Sequence, residues 1–316
     1  MIVDWHSHWI PPELASRIGA LRPNPVAPEF TDIAARLRFM DNAQVARQVI
    51  SWPTTFGLDA LLPPEEAAAL YREYNDHLAG ALAAHPDRFW GLAAVPTADP
   101  AAAVTELERT RLFPGMIGIV VPVDAFLTPA GAESYWPLLA SAHRARSHVY
   151  VHPGPTGRQE PGTGPIGFLR IDQGSERWLM ETGARLGAAA LTLDRSPLLD
   201  AFPGISVHVS MLGGHLAWIA ETLAFRSGEK EQPGQPAWPL RRIHVDTGIL
   251  KPGGRAIAHA AAMFGSDRIL FGSDFPQFGT PNPAEAFAAC GLAAGAQRQI
   301  LHQNSDRLAR QLGLVP

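Results

Sequence analysis

Short β-branched runs alternate with alanine- and leucine-rich stretches along nearly all of the 316 residues, and this alternation restricts the fold more than any other feature. Parallel strands joined by crossover helices are what such a pattern yields. Strands are expected at 2–8 (IVDWHSH), 46–52, 89–96, 116–122, 148–153, 205–211, 242–247 and 269–274. Helices are expected at 31–43, 63–84, 100–110, 133–145, 176–193, 214–226, 254–264 and 283–312, the last broken near Gly295. Eight strands, each with its helix, close most naturally into a (β/α)8 TIM-type barrel, an α/β fold whose active sites lie at the C-terminal ends of the strands. An open doubly wound sheet is the competing arrangement.

The length admits two domains, yet barrels of this kind commonly occupy the whole of such a chain as one. The Gly/Pro-rich stretches at 153–167 and 228–239 are too short for domain linkers, so residues 1–316 are read as a single barrel domain. Loops near 53–62, 153–175 and 227–240 are then expected over the active-site end.

Charge and cysteine usage remove several classes of function. With 26 basic and 30 acidic residues the formal charge is −4, which argues against a polyanion-binding face and hence against nucleic acid. The single cysteine, Cys290, permits neither an internal disulfide nor a thiolate metal cluster, so a reducing, cytoplasmic setting is expected. The first residues lack a basic segment followed by an apolar one, and no run approaches the roughly 18 apolar residues of a membrane span. No G-x-G-x-x-G follows a strand, and the only lysines, Lys230 and Lys251, lie off the strands, so neither NAD nor PLP is indicated.

Histidine is the informative excess, because several of the 12 end apolar runs. Asp4, His6 and His8 recur at spacing two on the first strand, which turns all three to one face, and Pro11-Pro12 breaks the chain just beyond. His152 ends the fifth strand in VYVHPG and Asp274 ends the eighth in ILFGSDFP. Singly, each also fits a hydrogen-bonded core histidine or a turn aspartate. Together they occupy the ends of strands that converge at one barrel mouth, and three imidazoles with a carboxylate suit a divalent ion with room left for water. Zn²⁺ is the expected ion and Mn²⁺ the alternative, since such a set accepts several metals.

These residues carry a resemblance. HSH on strand one, VHPG on strand five, ILFGSDFP on strand eight, AAHPDRFWGLAAVP at 83–96 and the closing ILHQNSDRLARQL together resemble the amidohydrolase superfamily. More narrowly they resemble the branch of aminocarboxymuconate-semialdehyde decarboxylase and the resorcylate-type decarboxylases. The resemblance implies a distorted barrel, a mononuclear divalent metal held by His6, His8, His152 and Asp274, a small-molecule substrate and a homodimer. It also implies a histidine at the end of strand six before a Gly-Gly turn, where ISVHVSMLGGHLAW places Met211. A thioether cannot serve as a general base. Proton transfer then falls to Asp274 or to His215 just past the glycines, unless the chemistry needs no such base or the chain is a barrel that binds a ligand without turning it over. His208, an odd number of residues from Met211, is expected to face the helices in a structural role.

The implied chemistry is decarboxylation of a small aromatic or unsaturated acid, with hydrolysis of a lactone, ester or amide as the alternative. Trp52, Phe56, Arg158, Asp246 and Met211 are candidates for the substrate wall, Arg158 as a cation for an anionic planar ligand. Asp87 and Arg88 are read as loop ties. Glu181 is read as a packing or ion-pairing position on its helix.

Overall fold

The structure, a computed structural model, describes residues 1–22, 25–157, 175–228, 234–248, 253–277, 287–288 and 290–315. Eight parallel strands follow one another in spatial order as in sequence: β1 (Ile2–His8), β2 (Val45–Ser51), β3 (Phe89–Ala94), β4 (Met116–Pro122), β5 (His148–His152), β6 (Ser206–Val209), β7 (Ile243–Asp246) and β8 (Ile269–Leu270). Closure comes from the chain just after β8. Its backbone bonds back to β1 through Trp5 N to Phe271 O (2.9 Å), Asp274 N to His6 O (2.8 Å) and His8 N to Phe275 O (2.8 Å). The expected (β/α)8 barrel is therefore the observed one, and its distortion lies at this seam.

The strands form because their residues are β-branched and buried on both faces. β4 (MIGIVVP) and β5 (HVYVH) are buried throughout, as a sheet covered by helices requires. The covering helices start on sequence-coded caps. Asp32 accepts from Ala35 N, Asp99 from Ala101 N and Ala102 N, and Thr128 from Gly131 N. Pro64 and Pro100 occupy first-turn positions, where the missing N–H costs nothing.

Three expectations need correcting. Pro12 opens a helix, Pro12–Ala20, instead of breaking the chain, for the same first-turn reason. β6 stops at Val209 because Met211 and Leu212 take left-handed backbone (φ 54° at each), and β8 stops at Leu270. The stretch expected at 133–145 is two helices, Pro129–Glu133 and Trp136–Arg144. The break expected near Gly295 is present: residues 290–293 are not helical, and the chain re-enters helix at Ala294–Arg298, which continues through the π-helical turn Gln299–Gln303 into Asn304–Gln311. Residues 283–286 fall outside the described residues.

The register of β1 decides what enters the lumen. It slips against β2 between Asp4 and Ser7. A slip of this kind reverses the facing of residues on its two sides. Asp4 therefore does not share a face with His6 and His8. It accepts from Gln48 Nε2 (2.7 Å), Ser273 Oγ (2.6 Å) and Ser273 N (2.9 Å), in a buried network that continues through Gln48 to Arg36. Trp5 takes the lumenal position, its ring 5.1 Å from His148 and 6.1 Å from Trp90.

Candidate metal centre

His6, His8, His152 and Asp274 are all buried, and one ligand atom from each lies within 4.8 Å of the other three. His6 Nε2 stands 3.2 Å from His8 Nε2, and Asp274 Oδ1 is 3.3 Å from both. The His152 ring centroid is 4.4 Å from that of His8 and 5.2 Å from that of His6. Asp274 reaches this point from left-handed backbone (φ 56°), a conformation aspartate tolerates better than most residues.

What fits this cluster to a metal ion is the oxygen placed behind each imidazole. His6 Nδ1 donates to Asp246 Oδ1 (3.0 Å). Thr54 Oγ1 donates to Pro153 O (2.7 Å), so toward His152 Nδ1 (2.8 Å) it is the acceptor. Ser51 Oγ donates to Ser7 O (3.2 Å) and accepts from His8 Nδ1 (3.1 Å). Each ring thus carries its proton on Nδ1 and presents the Nε2 lone pair inward, the arrangement by which outer partners orient metal-binding histidines. The chain after β7 and β8 closes on His6 so tightly that a Cβ on Gly248 would lie 2.2 Å from its Nδ1, and one on Gly272 would lie 2.7 Å from its Cβ.

The electrostatics agree. Burial disfavours charge on His6, yet the flanking Asp246 and Asp274 carboxylates outweigh it and raise its pKa to about 10, so with no cation beside it the ring takes a second proton on Nε2, the position a metal ion would claim. This is a place where the protein stabilises positive charge. Burial, against the pull of Asp274, lowers the pKa of His8. Burial, reinforced by His8 and His6, holds His152 well below the ordinary histidine value, which keeps it neutral and able to ligate. For Asp274 burial works the other way, but His6 and His8 prevail and keep its carboxyl below its usual range.

A cavity of about 210 Å³ opens above the cluster. His8, His152 and Asp274 form its floor, and Phe30, Phe56, Trp178, Met211, Pro53 and Arg22 are among its walls. Of the residues expected on the substrate wall, Phe56 and Met211 are there. Trp52 is not; its buried ring packs on Tyr71 (5.3 Å) and Tyr74 (5.0 Å) of the helix Pro64–Ala84. Asp246 lies behind His6, where its Oδ1 also accepts from Gly248 N (2.8 Å) and Met211 N (3.3 Å). His215 caps the helix Leu216–Arg226 with its ring against Gly183, so close that a Cβ there would be 2.3 Å from its Nε2, and it is not among the residues lining the cavity. Arg158 lies outside the described residues. Arg88 pairs with Asp41 (2.8 Å), and Glu181 pairs with Arg185 (2.9 Å).

His208 is the clearest departure from expectation. It faces the lumen, its ring stacked 4.1 Å from Tyr150 and 4.8 Å from His148. Its Nδ1 is 2.6 Å from His148 Nε2, and its Nε2 is 3.3 Å from Asp246 Oδ2. Counting back from Met211 misassigns the face because that residue is beyond the strand, in a left-handed turn where alternation no longer holds. Sequence reasoning also missed Thr54, Ser51 and Arg22. Only Thr54 and Ser51 carried a signal, as hydroxyls at the end of β2 beside the expected site.

The fold and site define a (β/α)8 barrel with a candidate metal centre, its four possible ligands on strand ends β1 and β5 and just after β8. The amidohydrolase family profile matches residues 3–310, and the chain belongs to that family. It is 28% identical over 295 residues to gamma-resorcylate decarboxylase of Rhodococcus jostii (strain RHA1), covering 86% of each. It is 24% identical over 293 residues to 6-methylsalicylic acid decarboxylase of Penicillium expansum, covering 87% of this chain and 84% of that one. Among solved structures, the dihydroxybenzoic acid decarboxylase of Polaromonas sp. JS666, with bound manganese and the inhibitor 2-nitroresorcinol, superposes with a TM-score of 0.74 at 21% identity, covering 98% of this chain and 96% of that one.

Proposed function

We propose that this chain is a metal-dependent decarboxylase of a small aromatic carboxylic acid. The observation that carries the reading is the trio of imidazoles locked with Nε2 inward beside Asp274, on the floor of a cavity walled by aromatic rings. His6, His8, His152 and Asp274 would hold one divalent ion, Zn²⁺ or Mn²⁺. Such an ion supplies Lewis acidity toward carboxylate and phenolate oxygens.

The chain's own residues do the rest. Phe30 and Phe56, with ring centroids 5.8 Å apart, and Trp178 give a planar substrate apolar faces to lie against. Loss of CO₂ breaks a ring-carbon to carboxyl bond, leaves its electron pair on the ring and requires a proton at that carbon. Met211 has no proton to give. With His8 and His152 turned to present lone pairs, Asp274 is the cavity-lining carboxyl placed to carry that proton. Asp246 acts through His6, as a positioning residue.

The chain is read as a homodimer. Trp218 and Phe225, 82% and 85% exposed, lie seven residues apart on one face of the helix Leu216–Arg226, and large apolar side chains held in water mark association surfaces. A cytoplasmic location accords with the lone buried Cys290. No helix among the described residues is long and apolar enough to cross a membrane.

The test is CO₂ release by manganese-loaded and zinc-loaded protein supplied with 2,6-dihydroxybenzoate or 6-methylsalicylate, run beside lactone and amide hydrolysis. Release of CO₂ with formation of the ring lacking its carboxyl supports the reading. Hydrolysis without CO₂ release, or turnover of nothing despite a bound ion, overturns it.

A further inference from the structure

The cavity wall carries a cation that the proposed chemistry leaves unused. Arg22, in the turn after the helix Pro12–Ala20, lies with its guanidinium carbon 3.4 Å from the centroid of Phe56. Among the described residues it is the only arginine or lysine lining the cavity, and no carboxylate there forms an ion pair with it. Partial burial lowers its pKa, and no acidic group contributes in the opposite direction. Most other partly buried arginines near the barrel are balanced: Arg109 by Glu106 (2.7 Å) and Asp76 (2.5 Å), Arg185 by Asp124 (2.5 Å) and Glu181 (2.9 Å).

A guanidinium stacked on a ring keeps its N–H donors in its own plane, directed sideways and not at the ring. That is the geometry for a bidentate hydrogen bond to a carboxylate approaching edge-on. The anionic floor residue, Asp274, is turned toward His6 and His8 (3.3 Å to each), so it neutralises the histidines and not Arg22. Among the described residues no carboxylate meets the guanidinium, which leaves its donors open to a ligand's negative charge.

We propose that Arg22, backed by Phe56, is a carboxylate subsite, and that the preferred substrate is a planar acid with a second anionic group. One carboxyl would face the His8–His152–Asp274 floor and the other the Arg22 edge of the same cavity. At about 210 Å³ the space is smaller than the roughly 300 to 1,000 Å³ of common ligand pockets, which suits a single substituted ring. Phe56 holds the guanidinium by its face, so the pair works as a unit. This inference rests on the decarboxylase reading for the identity of the substrate, but not for the existence of the subsite.

The test is calorimetric binding of benzoate, benzene-1,3-dicarboxylate and benzene-1,4-dicarboxylate to manganese-loaded wild type, Arg22→Met and Arg22→Lys, with manganese content measured for each. A charge-assisted bond made in a partly desolvated site is worth about 10- to 100-fold in affinity. Wild type is expected to bind at least one dicarboxylate tighter than benzoate by that factor. Arg22→Met should lose this preference while keeping benzoate affinity and manganese, and Arg22→Lys should recover part of it. Equal binding of all three acids by wild type, binding of none, or a preference that survives in Arg22→Met would overturn the proposal. Binding needs no turnover, so the two readings fail separately. An Arg22-dependent preference without CO₂ release sinks the decarboxylase alone, whereas CO₂ release with an indifferent Arg22→Met sinks the subsite alone.

Discussion

The barrel contains two histidine clusters built partly from the same strand, and they behave as opposites. β5 contributes His152 to the upper cluster and His148 to the lower. In the upper cluster each imidazole is backed by an oxygen, from Asp246, Ser51 or Thr54, and its other nitrogen is turned toward a common point beside Asp274. In the lower cluster His148 spends both nitrogens, on His208 at 2.6 Å and on Ser206 Oγ at 2.7 Å, and His208, its ring stacked on Tyr150, turns its other nitrogen toward Asp246 Oδ2 at 3.3 Å and not toward the common point. Residue type and burial are alike in both. The partner at the far ring nitrogen decides whether a buried histidine is a ligand or a packing element.

The largest effect is expected where the upper cluster does chemistry. Asp274→Asn should lower CO₂ release by about 100- to 10,000-fold, the span typical of a lost proton-transfer group. A smaller loss, measured by progress curves under saturating metal, would move the proton-transfer role elsewhere. Next come the groups that orient the rings. Asp246→Asn and Thr54→Val should each weaken divalent-metal affinity by about 10- to 100-fold, read by competition with a chelator. Affinity unchanged in both would mean that the oxygens behind the rings do not matter, and the contrast between the clusters would collapse.

The lower cluster should respond in stability and not in metal. His208→Phe strands the nitrogen of His148 that faces it and should destabilise the fold by about 1 to 3 kcal/mol in denaturant titration. Its metal affinity should fall less than in Thr54→Val. The smallest effect at neutral pH, and one that grows with acid, belongs to His244. Burial, with Arg268 and His208 adding to it, drives its pKa down to about 3. A histidine depressed in the folded state contributes stability that is present above its unfolded pKa of 6.5 and is lost as pH falls toward 3. Over that window the unfolded chain binds a proton that the native state refuses, at about 1.4 kcal/mol per pH unit. His244 Nδ1 has no hydrogen-bond partner among the described residues, although the ring bonds the Val207 backbone, so the stability of His244→Phe relative to wild type should rise increasingly below pH 6.5 from its value near pH 7. Parallel stability curves for the two proteins between pH 7 and pH 4.5 would show that His244 is not held neutral.

Much of this contrast could be read from sequence, and the part that could not has definite causes. β-branched runs and histidines at their ends marked β1, β5 and the segment after β8, so His6, His8, His152 and Asp274 stood out together. The slip in β1 did not, because a register shift depends on the neighbouring strand; it sends Asp4 into a bonded network and brings Trp5 inward. The face of His208 is not legible by alternation from Met211, because the backbone has already turned left-handed there. Ser51 and Thr54 come from the end of β2 and just beyond it, Asp246 comes from the end of β7, and only the closed barrel puts each behind its imidazole. Arg22 reaches the cavity from the far end of a helix whose opening Pro11-Pro12 read as a break.

The central claim is that the upper cluster, and not the lower, holds one divalent ion. Elemental analysis of protein purified without added metal tests it most directly, comparing wild type, His6→Ala/His8→Ala and His148→Phe/His208→Phe. The account predicts about one ion per chain in wild type and in any folded lower-cluster variant, and none in the upper-cluster variant. An upper-cluster variant that keeps the full ion content, or a wild type that takes up neither Zn²⁺ nor Mn²⁺ on reconstitution, would contradict it.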